Sequence, residues 1–448
     1  MKQLLAVIVT SLMFSACGGG GGDSSTTPPV PTPAPPVETP VAPPAAVEAP
    51  PVESVSPPVS TSPIVLQGSG GISSASLAVV INDADPLSVE IGNLYAQKRN
   101  IPSANVLHVN FAKGSTVMTP AAFAVMKQTL DAATPASVQA YLLTWNAPYR
   151  VGTMSITTAF AYGYDAKYTS AAVCDITANS PYFNHATRKP FADLAMRPAM
   201  ILGASSLVEA EALINRGMAA DGSQPAGTAY LVSTTDVNRN VRSYGFSQVI
   251  DATSPFLNTE TVVTNALVNK TDVMFYFTGI ANVASLSTNT FLPGAVADHL
   301  TSYGGMLTDS SQMSALKWLQ AGATASYGTV VEPCNYTQKF PNPKVMMQHY
   351  LAGETVIEAY WKSVAWPGEG VFIGEPLARP FSRATLVKNQ DGSWTASFPW
   401  VAAGTYKLMV SSSENGNYTL SKTITAGVSG AFNVSLPSTA TGFYKLSL

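Results

Sequence analysis

Charge is what this chain has least of. Only 11% of its 448 residues are Asp, Glu, Lys or Arg, and the formal net charge is -3. No basic run occurs, which argues against a nucleic-acid partner. Cysteine is scarce as well, with Cys17, Cys174 and Cys334 the full set. The apolar run at the amino terminus, Leu4 to Phe14, falls short of the roughly 20 residues that a membrane-spanning helix needs.

That short run lies between Lys2 and Ser15-Ala16-Cys17. The order of positive end, apolar core, small residues and cysteine predicts a secretory signal over residues 1–17 with a lipobox-like close. By resemblance to bacterial lipoproteins, Cys17 would be acylated and would tie the chain to a membrane. Gly18 follows it, in place of the Asp that resembles an inner-membrane retention signal. An outer-membrane lipoprotein facing the periplasm or the cell surface is therefore expected. Residues 18–63 open with five glycines and hold 14 of the 33 prolines, so they predict an extended tether and not packed core. In an oxidising compartment the two remaining cysteines, Cys174 and Cys334, form an even pair and predict a disulfide.

From residue 64 to 382 short apolar runs alternate with helical patterns. SLAVVIND (76–83) is followed by a helix over 85–100, with Asp85 a natural N-cap and Pro86 suited to the first turn. IPSANVLHVNF (101–111), a helix over 120–132 and SVQAYLLTWNAPYRV (137–151) continue the series. This βαβαβ order predicts a mostly parallel sheet flanked by helices. Residues 152–198 read as an irregular surface excursion. Strands at 199–206, 227–236, 272–279, 292–305, 322–333 and 370–381 complete the sheet, with helices at 207–222, 310–320 and 345–364 between them. From 383 to 448 apolar and polar residues alternate, with Asp391-Gly392 and Asn415-Gly416 as hairpin turns, which predicts a small β-sandwich.

Two resemblances bear on these segments. VVINDADPLSVEIG, LPGAVADHLTSYGG, GATASYGTVVEPC and GEPLARPF resemble an uncharacterised family of exported bacterial proteins that accompany exosortase, an envelope protein-sorting system. The order of segments is also similar to the gingipain-type branch of caspase-like cysteine peptidases. DVMFYFTG stands where that branch has the strand before its Gly-His-Gly, GATASYGTV where it has a Gly-rich strand, and FIGEP where it has Gly-Asp-Pro. That resemblance implies a caspase-like α/β fold with an immunoglobulin-like sandwich at the carboxyl end. It does not bring the catalytic pair with it. Ile280 stands where the histidine would follow Gly279, and no cysteine lies near Thr301 or Ser302.

In an open parallel sheet, chemistry gathers at the carboxyl ends of the strands. Asp83, Asp85, Asp298, His299, Ser302 and Glu332 all lie at predicted strand ends and are expected to share a crevice. Asp83, Asp298, His299, Ser302 and Glu332 are candidates for a rebuilt hydrolase or transpeptidase site. Asp83 and Asp85 are candidate carboxylate ligands for calcium, and no other cofactor is expected. The alternative for each is structural: Asp85 caps a helix, His299 is a hydrogen-bonded core residue, and Glu332 and Glu375 simply end strands. Ser302 has no G-x-S-x-G elbow around it. His185 reads as a surface or packing residue. Tyr327, Tyr336, Trp361 and Trp366 could line a sugar-binding crevice or pack the core. Two function classes follow: a non-catalytic envelope protein that binds polysaccharide or an exported protein, and a hydrolase or transpeptidase.

Overall fold

The computed structural model describes residues 62–67, 71–170, 173–401, 403–413 and 416–447. Cys17, the signal segment, residues 18–61 of the tether and the Asn415 turn position lie outside that set.

Ten strands form the main sheet. In chain order they are β2 (Leu77–Asn82), β3 (Val106–Val109), β4 (Ala140–Leu143), β5 (Ala199–Ile201), β6 (Thr228–Ser233), β7 (Asn258–Val263), β8 (Val273–Gly279), β9 (Phe291–Leu300), β10 (Ala325–Thr329) and β11 (Gly370–Gly374), with β1 (Ile64–Gln67) reserved for the smaller domain. Across the sheet they run β7-β6-β8-β9-β10-β11-β5-β4-β2-β3. The sheet is mostly parallel, and β11 runs antiparallel to β10. β2, β4, β8, β10 and β11 are buried at every position, which is why β2, β4, β8 and β11 are built on continuous apolar runs and not alternating ones; β10, Ala-Ser-Tyr-Gly-Thr, is buried with small and polar residues instead.

The helices follow local signals. Asp85 caps α1 (Pro86–Lys98) and the helix buries Ile91, Gly92 and Tyr95. Thr119 caps α2 (Pro120–Ala133) and Ser206 caps α4 (Leu207–Ala220). Between them, α3 (Ile156–Tyr162) corrects the reading of 152–198 as a surface excursion. Ile156 to Ala161 are buried, because Phe160 packs against Phe123, Tyr141 and Trp145. α5 (Phe246–Thr253) follows β6.

Two other helical expectations are revised. Over 310–320 only α6 (Leu316–Ala321) forms. Ahead of it, Ser310 and Ser314 donate to the Tyr303 and Leu307 carbonyls, and Ser310 Oγ accepts from the Gln312 amide. Such local side-chain bonds compete with helix formation. Over 345–364 the chain makes two helices, α7 (Pro343–Leu351) and α8 (Val356–Ser363). Gly353 at φ 76° ends the first, and a Thr355–Glu358 capping box starts the second.

The smaller domain holds β12 (Thr385–Lys388), β13 (Trp394–Val401), β14 (Gly404–Ser411), β15 (Thr419–Ala426), β16 (Gly430–Leu436) and β17 (Phe443–Ser447). Its two sheets have the orders β1-β17-β14-β15 and β12-β13-β16, and they close over Val65, Phe398, Leu408, Val434 and Leu446. The boundary at residue 64 is thereby corrected. β1 pairs in parallel with β17, so the segment that enters the α/β domain first supplies a strand to the carboxyl-terminal one. Asp391-Gly392 turns between β12 and β13 as expected, with Gly392 at φ 82°.

Candidate functional site

Strands β8 and β10 carry glycines in tight backbone contact with neighbouring loops. A Cβ on Gly279 would lie 1.8 Å from the Arg239 carbonyl oxygen, and one on Gly328 would lie 2.3 Å from the Gly304 and Gly305 backbone. These glycines let the loops after β6 and β9 lie directly on β8 and β10. The Gly305 amide donates to the Thr329 carbonyl at 2.9 Å.

Asp298 and His299 are neighbours on β9, so they face opposite sides of the sheet. Both are buried, at 0% and 1% exposure, which removes them from any open crevice. Asp298 meets the Arg242 guanidinium at 2.6 Å. Burial pushes the Asp298 carboxyl up, with Arg242 pulling against it. Arg242 also donates to the Pro341 and Thr278 carbonyls. On the other face, the Trp318 indole N–H donates to His299 Nδ1 at 3.0 Å. That assigns the proton to Nε2, which lies 3.1 Å from the Met313 carbonyl and donates to it. Burial first, and the Arg242 charge second, push the His299 pKa down to about 3. Both ring nitrogens are engaged and the ring is neutral, so it is poorly placed to accept a proton from a substrate.

Thr301, one residue beyond β9, donates to Gln312 Oε1 at 2.6 Å and accepts from Arg239 Nε at 3.2 Å. Arg239 pairs in turn with Asp236 at 3.0 Å. Ser302 uses its carbonyl to accept from the Thr329 hydroxyl, and among the described residues no base is bonded to its side chain. Glu332 Oε1 accepts from the Cys334 amide, and its carbonyl accepts from the Cys174 amide. Cys174 and Cys334 form the expected disulfide, with Cα atoms 5.1 Å apart.

The turn after β2 has its own contacts. Asp83 meets His108 at 2.6 Å, and both side chains are about half exposed. Asp85 caps the Leu87 amide and pairs with Lys113 at 3.0 Å. Buried Asn82 binds the Phe111 amide and carbonyl. No hydrogen bond joins this turn to Asp298, His299, Ser302 or Glu332 among the described residues, and buried Asp298 and His299 do not line an open crevice with it. No group of three His, Cys, Asp or Glu side chains is placed to hold a metal among them either. Glu375 is a buried anchor, held by the Tyr95 hydroxyl at 2.6 Å and by Arg99 at 2.7 and 2.9 Å. Tyr327 and Trp361 are core residues. Tyr336 and Trp366 remain partly exposed and lie against each other at 5.6 Å. His185 is exposed and accepts from the Thr187 amide.

What the sequence reading missed is a groove of about 570 Å³ beside these strand ends. Its walls come from the segment before α5, α5 itself, the 337–342 loop and the start of α7, with Phe183 at one side. Arg242 lines it while reaching inward to Asp298. Tyr244, Gln248, Gln338 and Lys344 present their side chains along it, and Tyr244 is 84% exposed. A usable signal was RNVRSYG, which places two arginines close together in a chain so poor in charge.

No family model and no curated protein matches the chain. One solved structure, titled "Structure of Protease", aligns over 84% of this chain and 97% of that one, at 13% identity and a TM-score of 0.37. No helix among the described residues is long and apolar enough to cross a membrane.

Proposed function

We propose that this chain is a non-catalytic binding or accessory protein of the bacterial envelope, anchored through lipid on Cys17. It would hold an extracellular polysaccharide or an exported protein, and the resemblance to the exosortase-associated family is in keeping with that setting. The observation that carries the reading is that the strand-end groups are engaged by the loops and helix around them and not by one another. A hydrolase of this architecture needs a nucleophile and a base in mutual reach. Here the His299 nitrogens bond Trp318 and Met313, and the Thr301 hydroxyl bonds Gln312 and Arg239. The groove alongside offers exposed side chains without a base aimed into it. The disulfide supports an oxidising compartment.

Broad profiling of the full chain against peptide and glycan substrates tests the reading, with binding expected and turnover absent. Turnover that vanishes in Ser302→Ala would replace it with the hydrolase alternative. Cys17→Ser is expected to release the protein from membranes or block its processing. Unchanged fractionation with an unmodified Cys17 would remove the anchor.

A further inference from the structure

We infer that the groove beside Arg242 takes an acidic oligosaccharide, a segment of sugar rings that carry carboxylates. The inference rests on the binding-protein reading and names its ligand class. Three features of the groove point the same way.

The first is charge. The groove is lined by Arg242 and Lys344 and by no carboxylate. The Arg242 charge is matched by Asp298 beneath it. Lys344 has no ion-pair partner among the described residues, so it stands as an uncompensated cation in the wall. In a protein with so few charges, a carboxylate on the ligand is the natural complement.

The second is the kind of surface. Tyr244 is 84% exposed and Phe183 is 36% exposed, two rings left uncovered where most aromatics of this chain are buried. Exposed rings beside amide side chains, here Gln248 and Gln338, suit a ligand with an apolar ring face and hydroxyls at its edge. The partly exposed Tyr336–Trp366 pair continues this surface, since the Trp366 amide donates to the Gln338 carbonyl.

The third is what the groove lacks. Its lining residues come from helices and loops and none comes from a strand. An extended peptide that binds by adding a strand needs an unpaired sheet edge, and none borders this groove. A ligand held by side chains alone fits better.

The test is calorimetric titration of the full chain with oligogalacturonate, with carboxyl-reduced oligogalacturonate and with an acidic peptide. Binding of the acidic sugar is expected to weaken as salt is raised. Lys344→Gln should lower its affinity about fivefold to tenfold, the effect of about 1 to 1.4 kcal/mol. Tyr244→Ala should lower it at least as much, and circular dichroism should show both variants folded. Equal affinity for the carboxyl-reduced sugar would overturn the acidic-ligand inference and leave the binding-protein reading standing. Tighter binding of the acidic peptide, with the same dependence on Lys344 and Tyr244, would overturn the sugar assignment alone. Failure of all three probes to bind would overturn the inference and, with turnover found in the substrate profile, the binding-protein reading as well.

Discussion

Replacing His299 with alanine separates a structural imidazole from a catalytic one. The ring is 1% exposed, accepts from the Trp318 indole N–H at 3.0 Å and donates to the Met313 carbonyl at 3.1 Å. Its loss leaves the Trp318 N–H buried without a partner, for about 1 to 3 kcal/mol. The space left by the ring adds to that cost, so a total of about 3 to 5 kcal/mol is expected. For a folded unit of nearly 400 residues melting as one, this is about 4 to 6 °C in Tm. The pH dependence adds a second signature. Burial holds the folded imidazole at about 3, below an unfolded value of about 6.5. Between those limits the unfolded chain binds a proton that the folded chain refuses. Stability from this group is therefore complete above pH 6.5 and falls as the pH drops toward 3, by at most about 1.4 kcal/mol per pH unit. His299→Ala lacks that slope, so its deficit relative to the parent should shrink on acidification. Glu369 acts in the opposite sense, because burial, against Lys339, pushes it up to about 7. The comparison must therefore be parent against variant, where Glu369 cancels. The assay is chemical denaturation of both proteins across this pH range. A variant as stable as its parent at neutral pH, or a deficit that does not change with pH, would refute the structural role.

Two further predictions probe the packing around the strand ends. Arg242→Met leaves the Asp298 carboxylate buried without its 2.6 Å partner and should cost about 3 to 5 kcal/mol, with Asp298→Asn in the same chain recovering part of it; an unchanged denaturation midpoint for Arg242→Met would count against the pair. The Cys174–Cys334 disulfide closes a separation of 160 residues, for which the chain-entropy relation gives a stabilisation of up to about 5 kcal/mol. Reduction should therefore lower Tm, and non-reducing mass spectrometry that finds two free thiols would dispose of the bond.

The sequence by itself determined the elements whose signals are local. β2 and α1 follow from an unbroken apolar run, an Asp cap and a Pro at the first turn, because capping and burial pattern act over a few residues. The mostly parallel sheet follows from the alternation of such elements. The cysteine pairing was legible once Cys17 was read as part of a signal segment, which left one partner for each of the other two. Tertiary structure decided what each strand-end side chain does. His299 reads equally well as a base or as a core residue until Trp318 and Met313, brought in by the 301–315 loop and α6, are placed on its two nitrogens. Asp298 is a candidate acid in the sequence and one half of a buried ion pair in the fold, because Arg242 lies 56 residues away along the chain. The strand Ile64–Gln67 joins the carboxyl-terminal sheet through backbone pairing with Phe443–Leu446, and four residues carry no mark of so distant a partner. The groove has the same origin. Phe183, Tyr244 and the 337–344 stretch that carries Gln338 and Lys344 come from three separate segments, and a concave surface exists only when the chain has folded to bring them together.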